Sequence, residues 1–165
     1  MTALSYIGPL NDATASSALA WPAVGRVMAR GLPAATVTRT AGLRLGQLAD
    51  SRLRIPVRAL HALWNQSAEL LGEHHIGLQT LSLLNHANSW PEPFSLYEAL
   101  FRASSTMRDG VERLAKYARI LRDGFGGHVE DRGEASLICF ELAENEPWPL
   151  VELHVGMGML LQRRV

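Results

Sequence analysis

Glu69, Glu73, His74 and His75 stand close together, with His61 a few turns earlier. They are the densest grouping of metal-ligand types in the chain. A helical metal site needs its donors on one face, as in His-Glu-x-x-His. Gly72 interrupts the helix before the histidine pair, and no two histidines are four residues apart. These side chains therefore read as solvated loop groups. His86, His128 and His154 carry no spacing signal. Gly124-Phe125-Gly126-Gly127 follows a helix and precedes a strand, the reverse of a phosphate-cradling order. It reads as a helix stop and turn, and Gly156 and Gly158 read as sites of close packing. No Gly-x-Ser-x-Gly elbow is present, and the lone Cys139 lies mid-strand, where a buried thiol is an inert core residue. The expectation is a non-enzyme with no metal and no cofactor.

Trp64, Tyr97, Phe101 and Tyr117 are the side chains best suited to lining a ligand pocket. Aromatic rings supply large apolar walls, and Tyr and Trp each add one polar handle. The plain alternative is that each ring fills the core. The expected place for a pocket is where helices meet a strand hairpin. An apolar or amphipathic small molecule suits it, because no Arg cluster falls on a core face.

Those residues must be positioned by one domain. The chain has 165 residues, 47% apolar and 19% charged, enough to build a core without staples. Sixteen basic residues balance sixteen acidic ones. That neutrality disfavours direct nucleic-acid binding by this piece. A single cysteine excludes an internal disulfide framework and fits a reducing, cytoplasmic compartment. No apolar run reaches the length of a membrane span, and the N-terminus lacks an export signal. Residues 1–17 read as a flexible polar lead-in and 18–165 as the domain.

The pattern predicts a helix over 18–31 with face Leu19, Val24, Val27 and Met28, then short helices around Gly42 and Leu45–Leu48. Ile55–Gly72 repeats apolar residues at Val57, Leu60, Trp64 and Leu71, with Gly72 as the stop. Ile76–Leu84 reads as a further helix. Asn88–Pro93 reads as a loop, and Ser95 and Glu98 as a capping box opening a short helix. Thr106 and Asp109 open a helix over Met107–Arg122 with core face Met107, Val111, Leu114, Ala118 and Leu121. The period then changes to two, predicting a hairpin with Arg132-Gly133 in its turn. Leu150–Val165 fits a strand by alternation and a helix by its Leu150, Leu153, Met157 and Leu160 face. The fold class expected is α+β: a helix-rich single domain with a small antiparallel sheet, the hairpin near 126–142, and a C-terminal helix. The chain stops at Val165 without a Gly or Pro signal, so a longer protein is expected to continue.

The order of these landmarks resembles one family. Gly42-Leu43, Asp50, Ile55-Pro56, Leu60, Trp64, Ala68-Glu69-Leu70 and Gly77-Leu78 precede a Pro-containing loop. Met107, Val111, Leu114, Ala115, Tyr117 and Arg119–Asp123 follow it, and then the hairpin. This is similar to the N-terminal effector-binding and dimerisation domain of AraC-type bacterial transcription regulators, in the helix-rich branch, over roughly 20–165. The resemblance implies a small-molecule effector and a homodimer. If the last segment is a helix, its Leu150, Leu153, Met157, Leu160 face either packs on its own domain or pairs with a second copy in the dimer. It also implies control of a C-terminal double helix-turn-helix region absent from this chain, through which DNA would be bound. A stand-alone small-molecule-binding module is the alternative reading, with a purely structural dimerisation domain and a small enzyme behind it.

Overall fold

The computed structural model describes residues 12–87, 92–133, 135–142 and 146–163, without the side chains of 83–87, 92–93, 135 and 158–163. Among the described residues there are eight α-helices and two small antiparallel sheets, an α+β arrangement rich in helix. Strand β1 (Thr14–Ser16) leads into a 3-10 turn and helix α1 (Trp21–Ala29). Helices α2 (Ala35–Thr40) and α3 (Leu45–Leu48) follow, then β2 (Arg54–Pro56), α4 (Val57–Leu71) and α5 (Ile76–Ala87). The second half runs α6 (Glu92–Arg102), α7 (Met107–Lys116), β3 (Gly126–Arg132), β4 (Ala135–Glu141) and α8 (Trp148–Arg163). No described helix is long and apolar enough to cross a membrane.

Helix α4 is the central rod. Its apolar spacing buries Val57, Leu60, Leu63 and Trp64 together. It ends at Gly72, whose φ of 62° is the left-handed turn that releases the chain toward α5. Around α4 pack α1, α2 and α8, and α1 and α8 also contact α5. These elements share one core running from Ala15 to Met157. A second, small cluster holds Phe101 and Val111, with Leu114, Val129 and Ile138 against it. It joins α6, α7 and the β3–β4 hairpin.

Residues 14–17, within the expected lead-in, form β1 and the start of the 3-10 turn; residues 1–11 lie outside the described ones. Ser16 and Ser17 are buried, and their hydroxyls donate to the carbonyls of Ser51 and Asp50. Strand β1 pairs with β2 on one side. On the other, Ser16 N–H donates to Leu121 O and Asp123 N–H to Thr14 O. That second pairing explains a difference in α7. The helix is capped by Thr106, whose hydroxyl accepts from the Asp109 amide, as the sequence predicts. It stops at Lys116 and not at Arg122, because residues 121–123 must extend to pair with β1. Met107, expected in its core face, is exposed, as is Met28 of α1.

Helix α6 starts at Glu92, with Pro93 in its first turn where a missing N–H costs nothing. Ser95 therefore lies inside the helix and does not cap it; residues 88–91 of the expected loop lie outside the described ones. The hairpin pairs Gly126 with Glu141 through Arg132 with Ala135, and Gly133 turns at φ 62°. The last segment is a helix: burial falls on Leu150, Leu153, His154 and Met157, a helical period. It crosses α5 closely. A Cβ on Gly77 would sit 2.1 Å from the Pro149 carbonyl oxygen, and one on Gly156 2.3 Å from Leu81 Cδ1.

Candidate functional site

The two cores do not close completely against each other. Between α6, α7, the hairpin and α8 lies a cavity of about 60 Å³. Its walls are almost entirely apolar. Tyr97 and Phe101 come from α6, Val111, Leu114 and Ala115 from α7, Ile138 and Phe140 from β4, and Met157 from α8. Phe125, Gly126 and Gly127 complete the rim. Glycine matters here for space: a Cβ on Gly127 would press the Cys139 carbonyl at 2.8 Å. Gly110 plays the matching part in α7, since a Cβ there would meet the Phe101 ring at 2.7 Å.

Of the four aromatic candidates, two line this cavity. Tyr97 is buried, its hydroxyl donates to the Leu114 carbonyl at 3.2 Å, and burial raises its pKa far above the ordinary phenol value. Phe101 packs over Gly110. Trp64 is fully buried in the main core, and its Nε1–H donates to Leu19 O at 2.9 Å, fixing the 3-10 turn. Tyr117 is exposed, with Lys116 Nζ 5.7 Å from its ring centroid. Neither reaches the cavity.

Besides Tyr97 and Cys139, one more polar side chain lines it, and sequence reasoning passed it over. His154 on α8 is 1% exposed, and neither ring nitrogen meets a hydrogen-bond partner. Phe125 stacks on its imidazole with centroids 4.3 Å apart. Behind Phe125 stands a buried ion network. The Arg122 guanidinium, wholly buried, lies 5.6 Å from the Phe125 ring and pairs with Glu146. The other Glu146 oxygen stands 3.5 Å from His61 Nε2. Burial, then the Arg122 charge, lowers the His154 pKa from 6.5 to about 4, against the pull of Glu146 and the Leu150 carbonyl. Burial alone would raise the Glu146 pKa, but His61 and Arg122 hold it below its ordinary value. Only the spacing of His154 from Leu150 and Met157 on a helical face hinted that it points inward.

A larger cleft of about 650 Å³ lies by β1 and β2, lined by Ser16, Arg52, Arg54 and Ile120 among others. Its polar groups are already engaged. Ser16 donates to Ser51 O, and Arg54 spans Thr14, Arg119 O, Ile120 O and Asp123. It is an open crevice beside a structural clamp, and the smaller apolar cavity is the better ligand site.

The other sequence candidates fall as follows. Leu150, Leu153 and Met157 are buried within their own domain against α4 and α5. They are used in the intramolecular core, one of the two uses open to that face; the Leu160 side chain lies outside the described residues. His75 Nδ1 stands 2.6 Å from the buried Glu152, and Glu73 accepts from Arg26 of α1 and from Arg30 just after it. Cys139 is half-buried on the hairpin's outer face, not in the core, where it pairs in register with His128. Its thiol, His128 and Glu130 lie within 4.8 Å of one another. Arg132 already holds Glu130, and His128 sits between Glu130 and Glu141, so charge pairing accounts for that grouping.

No curated protein matches the chain. A family model does, over residues 31–165, described as the arabinose-binding domain of AraC transcription regulator, N-term. The match takes in α2 through α8, including every wall of the cavity, and the chain belongs to that family of N-terminal regulatory ligand-binding domains.

Proposed function

We propose that this chain senses an apolar or amphipathic small molecule in the α6–α7–hairpin–α8 cavity and passes the signal to a DNA-reading region. The cavity inside a matched effector-binding domain carries this reading. The walls come from both cores, so a ligand contacts the large helical core and the hairpin cluster at once. A molecule that binds one arrangement of these two parts better than another biases their equilibrium, and nothing more is needed for a switch. In a cytoplasmic regulator of this family that bias would set how paired double helix-turn-helix regions meet their half-sites. Nothing in the arrangement calls for catalysis.

A homodimer is part of the same proposal. With Leu150, Leu153 and Met157 buried, pairing would use the apolar side chains that α5 and α8 leave exposed: Leu78, Trp148 and Val155. Sedimentation of wild type and a Leu78→Glu/Val155→Glu variant tests it. A dimer that dissociates in the variant supports this face, and a dimer unaffected by the change removes it. The output half is tested by reading the gene past the Val165 codon. Two helix-turn-helix patterns with a basic bias are expected. An immediate stop codon would leave a stand-alone binding module.

A further inference from the structure

His154 stands out as a side chain whose burial is unexplained by the domain's own packing. It is 1% exposed and stacked on Phe125, and neither ring nitrogen meets a partner at full hydrogen-bond geometry, although the Leu150 carbonyl one turn earlier lies near the ring. Leaving such a group unsatisfied costs free energy in the empty domain, and a hydrogen bond supplied from the cavity recovers it. The remaining lining is apolar and aromatic: Tyr97, Phe101 and Phe140 face the same space. The Tyr97 hydroxyl already donates to Leu114 O, so it is committed as a donor. His154 is thus the polar reader of the cavity.

We infer that His154 selects an uncharged, ring-sized ligand carrying one hydroxyl or carbonyl group, which hydrogen-bonds to its imidazole. This deepens the effector-sensing reading and rests on it. Charge argues for the neutral form. The imidazole is itself neutral near pH 7, since burial and Arg122 keep its pKa at about 4. The nearest buried cation, Arg122, is already matched by Glu146. A carboxylate in the cavity would add a charge with no free counter-charge beside it. A neutral imidazole offers one N–H and one lone pair, which fits a hydroxyl as donor or acceptor and a carbonyl as acceptor. Shape argues for a planar body among the aromatic walls. The cavity of about 60 Å³ has room for roughly two waters, so a ring must widen it. The hairpin is the part that yields, because it is held by a cluster with only two buried apolar residues, Phe101 and Val111.

Phenol, toluene and benzoate are the probes, titrated into wild type, His154→Phe and His154→Gln and followed by NMR. The ratio of phenol to toluene affinity isolates the polar contact, since both rings fill the same space. It is expected to be roughly 3- to 10-fold higher in wild type than in His154→Phe, with His154→Gln keeping part of it. The His154 ring nitrogen shifts should move with phenol and much less with toluene. Benzoate should bind at least tenfold more weakly than phenol. Empty His154→Phe should melt about 2–4 °C higher than wild type, showing that it folds. If phenol and toluene bind with the same ratio in all three proteins, the His154 assignment is overturned while the cavity remains an effector site. Benzoate binding as tightly as phenol overturns the neutral class. Failure of all three probes to bind wild type overturns the inference, and the sensing proposal is then judged by the wider ligand comparison described below.

Discussion

A buried neutral imidazole makes stability depend on pH in a defined window. The His154 pKa is lowered to about 4 from 6.5, so between these values the unfolded chain takes up a proton that the folded chain refuses. Stability is full above pH 6.5 and falls toward pH 4, by on the order of 3 kcal/mol. His154→Phe should flatten that window in chemical denaturation curves at stepped pH. Glu146 acts lower on the scale. Its depressed pKa contributes stability above its ordinary value of 4.5, lost as pH falls through its folded pKa. That lower step should survive in His154→Phe; a flat wild-type curve from pH 7 to 4 would contradict the burial of His154. The Arg122–Glu146 pair gives a second test. Glu146→Ala strands a buried guanidinium and should cost about 3–5 kcal/mol, whereas Arg122→Met with Glu146→Leu should come out near neutral. A single and a double variant of equal stability would contradict a buried pair. None of this network was legible in the sequence. His61, Arg122, Glu146 and His154 share no spacing, and Arg122 stood only as the last residue of an expected helix. Long-range packing of α4, α8 and the segment after α7 assembles them. Tyr97, Phe101, Trp64 and Tyr117 were singled out by aromatic side-chain type alone, and the sequence held nothing that separates the two lining the cavity from the two placed elsewhere.

At the scale of elements, two glycine contacts set how closely helices cross. Gly77 and Gly156 hold α5 against α8, and a methyl group at either would run into a backbone carbonyl or a leucine side chain. Gly156→Ala meets the movable end of Leu81, so it should cost about 1–2 kcal/mol. Gly77→Ala meets the Pro149 backbone and should cost more, about 2–3 kcal/mol. Thermal melts that rank them the other way would contradict this crossing. Gly110→Ala differs in kind, because it pushes on the Phe101 ring at the cavity wall. It should disturb ligand binding more than its effect on stability would suggest. Elements with strong local signals were readable. Gly72 stops α4, Thr106 caps α7 and Gly133 turns the hairpin, each through chemistry carried by one or two residues. Boundaries set by distant partners were not. After a 3-10 turn at Ala118–Ile120, residues 121–123 leave the helix where β1 pairs with them, and β1 itself looks like polar lead-in until Ser16 and Ser17 find the carbonyls of Ser51 and Asp50. The final segment alternates like a strand, yet α4 and α5 bury it as a helix.

For the whole molecule, the account is a domain with one large core, one small core and a cavity at their seam. Neutral net charge is what the proposed sensing role, with nucleic-acid contact left to another region, would call for. Under the proposed function, the hairpin, held by the small core, is the part that would respond to a ligand. The most direct test is a metabolite panel screened by thermal shift against wild type and against Ala115→Leu, which fills the cavity from α7. The account predicts compounds that raise the melting temperature of wild type and leave Ala115→Leu unmoved. Compounds that shift both proteins equally, or a broad panel that shifts neither, would contradict it.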